Sequence, residues 1–400
     1  VHELSINEAR GLALAAQFPS LPGKTPRERA LAAIEHLGYV QIDTIHVVQR
    51  AHHHTLWARA HAYTPDVLDT LLAQDRAVFE YWGHAASYLP MADYRYYLPL
   101  MKDFLSRNAW FQQMYDLSAE ARPRVLERIR TEGPLGARDF ENPNPRGGTW
   151  WDWKPAKIAL EMLMWLGELM VTRRDGFQRI YDLTERVLPT GVNTTLPTDE
   201  EVARFAIKRA LQAHGLAQEK TIVENMNLMS RDLQRTTLKD MAAAGEVHKA
   251  RVEDVKGVFY LLPAQAEAPE PTEATRILSP FDSACIHRHH VRELFDFDYT
   301  IECYTPAPKR KYGYFTLPVV HGRRFVGRLD TKAERKGGVL QVLSAHFEPG
   351  VTPGDGLPEG LAAELTAFAR FNGCKATDVG GFTREWKQKV QKAMKDVERA

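Results

Sequence analysis

Long apolar runs are missing from this 400-residue chain, so no segment reads as a membrane span. Cysteine is scarce. Cys285, Cys303 and Cys374 are odd in number and widely separated, which argues against a disulfide framework or a zinc cluster and points to a reducing compartment. Neither sign of charge dominates: 52 Lys and Arg stand against 51 Asp and Glu, a net of +1, so any attraction to nucleic acid must come from local segregation of charge. A Gly-x-Ser-x-Gly elbow, a P-loop, a Rossmann fingerprint after a strand and a His-Glu-x-x-His helix are also absent. The opening Val1-His2-Glu3-Leu4-Ser5 has neither the basic nor the apolar region of a secretory leader, and a cytoplasmic location is expected.

What is present fits a folded protein of several modules. Hydrophobic residues make up 44% of the chain, enough for sizeable cores, and 400 residues suggest two to four modules. Two capping boxes, Ser5-Ile6-Asn7-Glu8 and Thr25-Pro26-Arg27-Glu28, predict N-terminal helices, the second ending near Gly38. Helical spacing returns over Asp66–Leu72. The aromatic block Phe79–Pro90 then predicts a short hairpin.

The next stretch predicts a helix through Val125–Arg130, a break at Gly133-Pro134 and a short helix at Ala137–Phe140. A loop with Pro143, Pro145, Gly147 and Gly148 leads to a long helix from Lys154 to Leu166. Asp175-Gly176 between two strand-like runs is a strong hairpin signal. A similar order follows Pro197: a capping box at Thr198-Asp199-Glu200-Glu201, helices to His214 and over Leu233–Ala244, and a possible hairpin over Val247–Leu262. Helix, helix, helix, hairpin is the winged-helix order. Residues 263–275 read as a linker. Beyond them come short strand-like runs around Glu302–Tyr304, Tyr312–Val320, Phe325–Asp330 and Val339–Ala345, and a covering helix over Leu361–Phe371.

The expected fold is therefore α+β, with tandem winged-helix modules followed by a C-terminal β-rich domain. Expected boundaries are residues 1–117, 118–192, 193–276 and 277–400.

Within the apolar run Leu37–Ile45, Gln41 and Asp43 stand two residues apart. An extended segment would turn both to one face and Val40 and Ile42 to a core, making a small polar site on a hydrophobic floor. The same residues also fit a structural alternative, with Asp43-Thr44 capping a helix that begins near Ile45 and Gln41 serving a turn.

Local basic clusters supply candidate phosphate contacts: Lys154 and Lys157 on a helix, Arg173, Arg174 and Arg179 around the hairpin, and Lys309-Arg310-Lys311 among tyrosines. Arg50 joins these as a candidate. The run His52-His53-His54 invites a metal reading, but consecutive helical residues diverge and could not all reach one ion, so no metal or cofactor is expected.

Several blocks together resemble the YcaQ-like winged-helix DNA glycosylases. They are Gln41-Ile42-Asp43, Glu80-Tyr81-Trp82-Gly83-His84, Trp150–Pro155, Phe177–Leu183, Leu278-Ser279-Pro280-Phe281-Asp282 and Glu302–Arg310. The resemblance implies tandem winged helices around DNA with a C-terminal β-domain. It also implies cleavage of the glycosidic bond of N7-alkylated guanine, including unhooking of interstrand crosslinks, with catalytic roles on Gln41 and Asp43. The azinomycin-specific branch carries a second Gln where this chain has Asp43, which sets this chain on the YcaQ side. Tyr81, Trp82, His84, Phe281 and Asp282 are expected to line the site, duplex DNA to be the partner, and the protein to act as a monomer. A winged-helix transcription regulator or a non-catalytic DNA binder would explain the basic hairpins without using Asp43.

Overall fold

A computed structural model describes residues 1–140, 155–265, 274–397 and 399. Lys154, the Trp150–Trp153 block, the loop of Pro143, Pro145, Gly147 and Gly148, and residues 266–273 of the expected linker lie outside the described residues.

The chain opens with β1 (His2–Leu4) and α1 (Ile6–Gln17). The first capping box is formed, with Ser5 Oγ accepting the Glu8 N–H at 3.2 Å and the Glu8 carboxylate accepting the Ser5 N–H at 2.8 Å. A first unit follows: α2 (Pro26–Leu37), β2 (Val40–Gln41), α3 (Ala51–Trp57), α4 (Pro65–Ala73), β3 (Val78–Trp82) and β4 (Ala86–Pro90). Its sheet has the order β2-β4-β3, so the short strand after the first helix pairs with the second strand of the hairpin. Gly38 sets the turn into that strand. It sits at φ 78°, a conformation that any Cβ would strain.

Two connecting helices, α5 (Leu98–Lys102) and α6 (Ala109–Leu117), lead to a second unit of α7 (Ala121–Glu132), β5 (Leu135–Gly136), α8 (Pro155–Trp165), β6 (Leu169–Asp175) and β7 (Gln178–Leu183). The turn predicted at Asp175-Gly176 is there, with Gly176 at φ 59°. The short helix α9 (Thr184–Val187) precedes a third unit of α10 (Asp199–His214), β8 (Ala217–Gln218), α11 (Glu219–Asn225), α12 (Arg231–Ala243), β9 (His248–Val252) and β10 (Val255–Leu261). In both later units the short strand again pairs with the second hairpin strand, as β5-β7-β6 and β9-β10-β8. The sequence did not betray one addition: β1 joins the third sheet in parallel with β9.

The C-terminal part holds β11 (Thr275–Ile277), α13 (Ser283–Ile286), α14 (Arg288–Phe295), β12 (Thr316–His321), β13 (Arg324–Glu334), β14 (Val339–Phe347), α15 (Leu357–Phe371), β15 (Ala376–Asp378) and α16 (Arg384–Val397). Its five strands run in linear order β11 to β15, antiparallel except for the last pair. The expected covering helix is α15. The second one, α16, is held by Trp386 stacked 3.7 Å from Phe347. Glu302–Tyr304 is loop rather than strand, because the Glu302 side chain is used to close a turn. The α+β class is thus observed, and one buried apolar cluster runs from α1 to α16, joining the units to the C-terminal sheet. Among the described residues no helix is long and apolar enough to cross a membrane.

Candidate functional site

Gln41 is the last residue of β2 and lies opposite Ser87, which in turn lies opposite Tyr81. These three side chains share a face of the sheet. The Ile42 N–H still donates to Ala86 O at 2.8 Å, and there the chain leaves the sheet. Asp43 Oδ1 then accepts the Ile45 N–H at 2.8 Å, an Asx turn that holds the carboxylate in one orientation. The helix that Asp43 could have capped begins at Ala51 instead, with Arg50 at its N-cap, so Asp43 is not a helix cap.

The segment between them is fastened to the C-terminal part. Ala333 N–H donates to Val47 O at 2.9 Å, and Gln49 N–H donates to Asn372 Oδ1 at 2.7 Å. The stretch that follows Asp43 therefore lies at a seam between the first unit and the C-terminal part, and Asp43 itself is half-buried. Across that seam its charge raises the thiol of Cys303, after burial as the larger cause.

Burial raises the Asp43 carboxyl above its ordinary range, and the Ile45 N–H opposes that shift only in part. Gln41 Oε1 is buried and accepts no hydrogen bond from any described group. A buried acceptor without a protein donor suits a water or substrate donor. A partly desolvated anion two residues along the chain from such an acceptor can stabilise a positively charged transition state and align water for attack.

The expected lining residues divide. Trp82 is 41% exposed at the end of β3, and His84 is half-buried in the adjoining turn, 3.1 Å from Glu224 O through Nδ1. Phe281 is half-buried beside Phe315. Tyr81 is buried, and its hydroxyl donates to Trp165 O at 2.5 Å, which makes it a packing residue between two units. Asp282 is wholly interior: it caps α13 and makes two 2.8 Å bonds to the buried Arg59 guanidinium. That carboxylate is consumed by an internal ion pair and is not placed on an accessible wall.

The candidate phosphate contacts divide too. Lys157, Arg173, Lys309 and Lys311 are exposed. Arg174 is turned inward, donating to the two oxygens of buried Glu80 at 2.6 and 2.7 Å, and Arg179 adds a third bond at 3.0 Å. Burial opposes charge on both guanidinium groups, and their neighbours, Glu80 foremost, more than offset it, leaving each more basic than usual. Arg310 closes its own loop through Thr305 O at 2.8 Å. Arg50 lies 4.4 Å over the ring of Phe177, whose other cationic neighbour is Arg174 at 4.5 Å. The hairpin tip is therefore docked on the first unit. Glu80 is not legible in the sequence as the partner of these arginines, since nothing local marks a contact across 94 residues.

The three consecutive histidines do not converge on one point, although the rings of His52 and His53 lie 4.3 Å apart. His53 Nδ1 lies 2.7 Å from Tyr63 Oη, His54 Nε2 lies 2.8 Å from Ile277 O, and His52 packs against Tyr88 and Phe177. Burial lowers all three, His53 to about 3 and His54 to about 4. Among the described residues no group of three or more His, Cys, Asp or Glu is arranged to hold a metal ion.

The solved structure of Streptomyces sahachiroi DNA glycosylase AlkZ matches this fold with a TM-score of 0.64, covering 95% of this chain and 100% of that one at 17% identity. A family model described as DNA glycosylase AlkZ-like matches residues 34–371. Because that match runs from within α2, through Gln41 and Asp43, to the end of α15, the chain belongs to the AlkZ-like DNA glycosylase family.

Proposed function

We propose that this glycosylase hydrolyses the N-glycosidic bond of cationic N7-alkylguanine in duplex DNA and unhooks interstrand crosslinks built on that base. The observation that carries the reading is the half-buried, Asx-held carboxylate of Asp43 beside the unpartnered acceptor of Gln41. N7-alkylation already places positive charge on the purine, so the base leaves without protonation and the site needs an anion rather than a strong acid.

As the C1′–N9 bond breaks, its electron pair passes to N9 and neutralises the base. Asp43 stabilises the oxocarbenium sugar, and water aligned by Gln41 adds to C1′ and releases its proton through the carboxylate to solvent. The products are a neutral alkylguanine and an abasic site. Water as nucleophile makes the enzyme monofunctional. A site on an open seam suits a guanine tethered to the opposite strand, which cannot be swung far from the helix.

We read the three helix-and-hairpin units as winged helices, with residues 1–117, 118–192 and 193–276 as successive modules and 277–400 as the β-rich domain. The exposed cations Lys157, Arg173, Lys309 and Lys311 then face the phosphate backbone of the bound duplex, and the protein acts as a monomer. Arg173→Glu should weaken damaged and undamaged duplex about equally and reduce the salt slope by about one. Titrations at several salt concentrations check this; unchanged affinity throughout would place the DNA path elsewhere.

Activity should be unaffected by EDTA, given how the His and carboxylate side chains are committed. Loss in EDTA with recovery on adding zinc would contradict it. The proposal as a whole is tested by incubating the protein with a duplex carrying a nitrogen-mustard crosslink and resolving the strands on a denaturing gel. Unhooked strands that break in alkali are expected. Intact crosslinks together with tight binding to one DNA sequence would favour a transcription regulator.

A further inference from the structure

Arg50 is held unlike the other candidate phosphate contacts. It stands at the N-cap of α3 in the first unit, and its guanidinium lies 4.4 Å over the ring of Phe177, which follows the turn between β6 and β7 in the second unit. Among the described residues no carboxylate pairs with it and no acceptor takes a hydrogen bond from it. Its Nε is buried without a partner, whereas its two terminal nitrogens stay open to solvent.

The surroundings make that cation costly. Arg174 shares the same ring at 4.5 Å, and Glu80 is already divided between Arg174 and Arg179. Burial, then the charges of Arg174 and Arg335, all work against a charge on Arg50, though an arginine keeps its proton in such a setting. Arg335 itself reaches His46 O at 3.5 Å, on the segment that leads to Arg50. His52 stacks on Phe177 at 6.2 Å, and its buried Nδ1 is likewise without a partner. A partly buried guanidinium with no counter-charge is destabilising unless an anion joins it, and a planar fork with its ends open matches two oxygens of a phosphate.

We propose that Arg50, seated on Phe177, is a built phosphodiester site through which the junction of the first and second units grips the DNA backbone. This rests on the reading of the chain as one that binds duplex DNA. No described side chain supplies the counter-charge of Arg50, and a backbone phosphate does. A solvated cation such as Arg173 exchanges water for phosphate and gains little, whereas Arg50 gains the neutralisation that its own fold withholds. Removing its charge should therefore cost more affinity than removing that of Arg173, and should relieve the protein when no DNA is bound.

The test compares the full-length wild type with Arg50→Met, which keeps a long side chain over the ring, Arg50→Lys, and Arg173→Met as the exposed control. Each is melted without DNA and titrated with an undamaged duplex at several salt concentrations. Arg50→Met should melt at or above the wild type, bind about tenfold or more weakly at low salt, and reduce the salt slope by about one. Arg50→Lys should keep the slope and bind several-fold more weakly, because the fork is lost. Arg173→Met should lose no more than about threefold in affinity. Inorganic phosphate at fixed ionic strength should raise the melting temperature of the wild type and leave that of Arg50→Met unchanged. The proposal is overturned if Arg50→Met binds duplex with the affinity and slope of the wild type, if it melts well below the wild type as a packing residue would, or if phosphate stabilises the wild type while duplex affinity is indifferent to Arg50, which would leave a site for the free ion only. Release of base from an N7-methylguanine duplex reports separately on the proposed function: release by the wild type with unaltered binding in Arg50→Met removes only the phosphate site, and no release by a wild type whose binding depends on Arg50 removes only the proposed function.

Discussion

Asp43→Asn should lower base release by about 10²- to 10³-fold, the scale of losing one electrostatic group aimed at developing charge. Duplex binding should stay within a few-fold of wild type, because the charge acts on the transition state rather than on the bound complex. Asn retains an oxygen that can accept the Ile45 N–H, so the turn should persist. The fold should also be no less stable. Burial raises the Asp43 carboxyl in the folded protein, so as pH rises from the unfolded-state value to the folded one the unfolded chain ionises first and stability falls. At neutral pH that loss is complete, and the Asn variant, which carries no charge, escapes it. Its melting temperature should equal or exceed that of the wild type. Activity of the wild type requires the anion, so its acid limb should lie above the ordinary aspartate range. Gln41→Ala, which removes alignment and keeps the anion, should be a milder loss with the same acid limb. Full activity in Asp43→Asn would remove the carboxylate from the mechanism.

The second large effect is expected far from the chemistry. Glu80→Ala should destabilise the protein by about 3–5 kcal/mol, because it strands the Arg174 guanidinium in a low-dielectric setting with no counter-charge. Arg174→Glu should be at least as damaging, since it sets two carboxylates together where an ion pair was. Arg173→Glu, one residue away but exposed, should change stability by no more than about 0.5 kcal/mol. Denaturant unfolding of the three variants separates these outcomes. If Arg174→Glu unfolded like Arg173→Glu, the pair would be a solvated surface contact, and Arg174 would return as a candidate for DNA.

That contrast shows what a sequence discloses and what it withholds. The capping boxes at Ser5, Thr25 and Thr198 and the Asp175-Gly176 turn are readable because their chemistry is complete within a few residues. Gln41 and Asp43 stand out for the same reason: two polar side chains interrupt one short apolar run. The direction of Arg174 depends on Glu80, 94 residues earlier, and that of Asp282 on Arg59, 223 residues earlier, so each looks like a surface charge until the chain is folded. The four-residue α13 is too short to show a period, whereas α14 and α16 do carry buried apolar residues at helical spacing, Val291, Leu294 and Phe295 in one and Trp386, Val390 and Ala393 in the other.

The central claim is that the Gln41 and Asp43 seam hydrolyses the bond between sugar and alkylated guanine. It is tested most directly by single-turnover incubation of wild-type protein and Asp43→Asn with a duplex carrying one N7-methylguanine, with free 7-methylguanine quantified by chromatography. The account predicts stoichiometric release of the free base by the wild type, above the spontaneous rate, and release near the spontaneous rate in the Asn variant. No release above the spontaneous rate by folded, DNA-bound wild-type protein, or equal release by the two proteins, would contradict it.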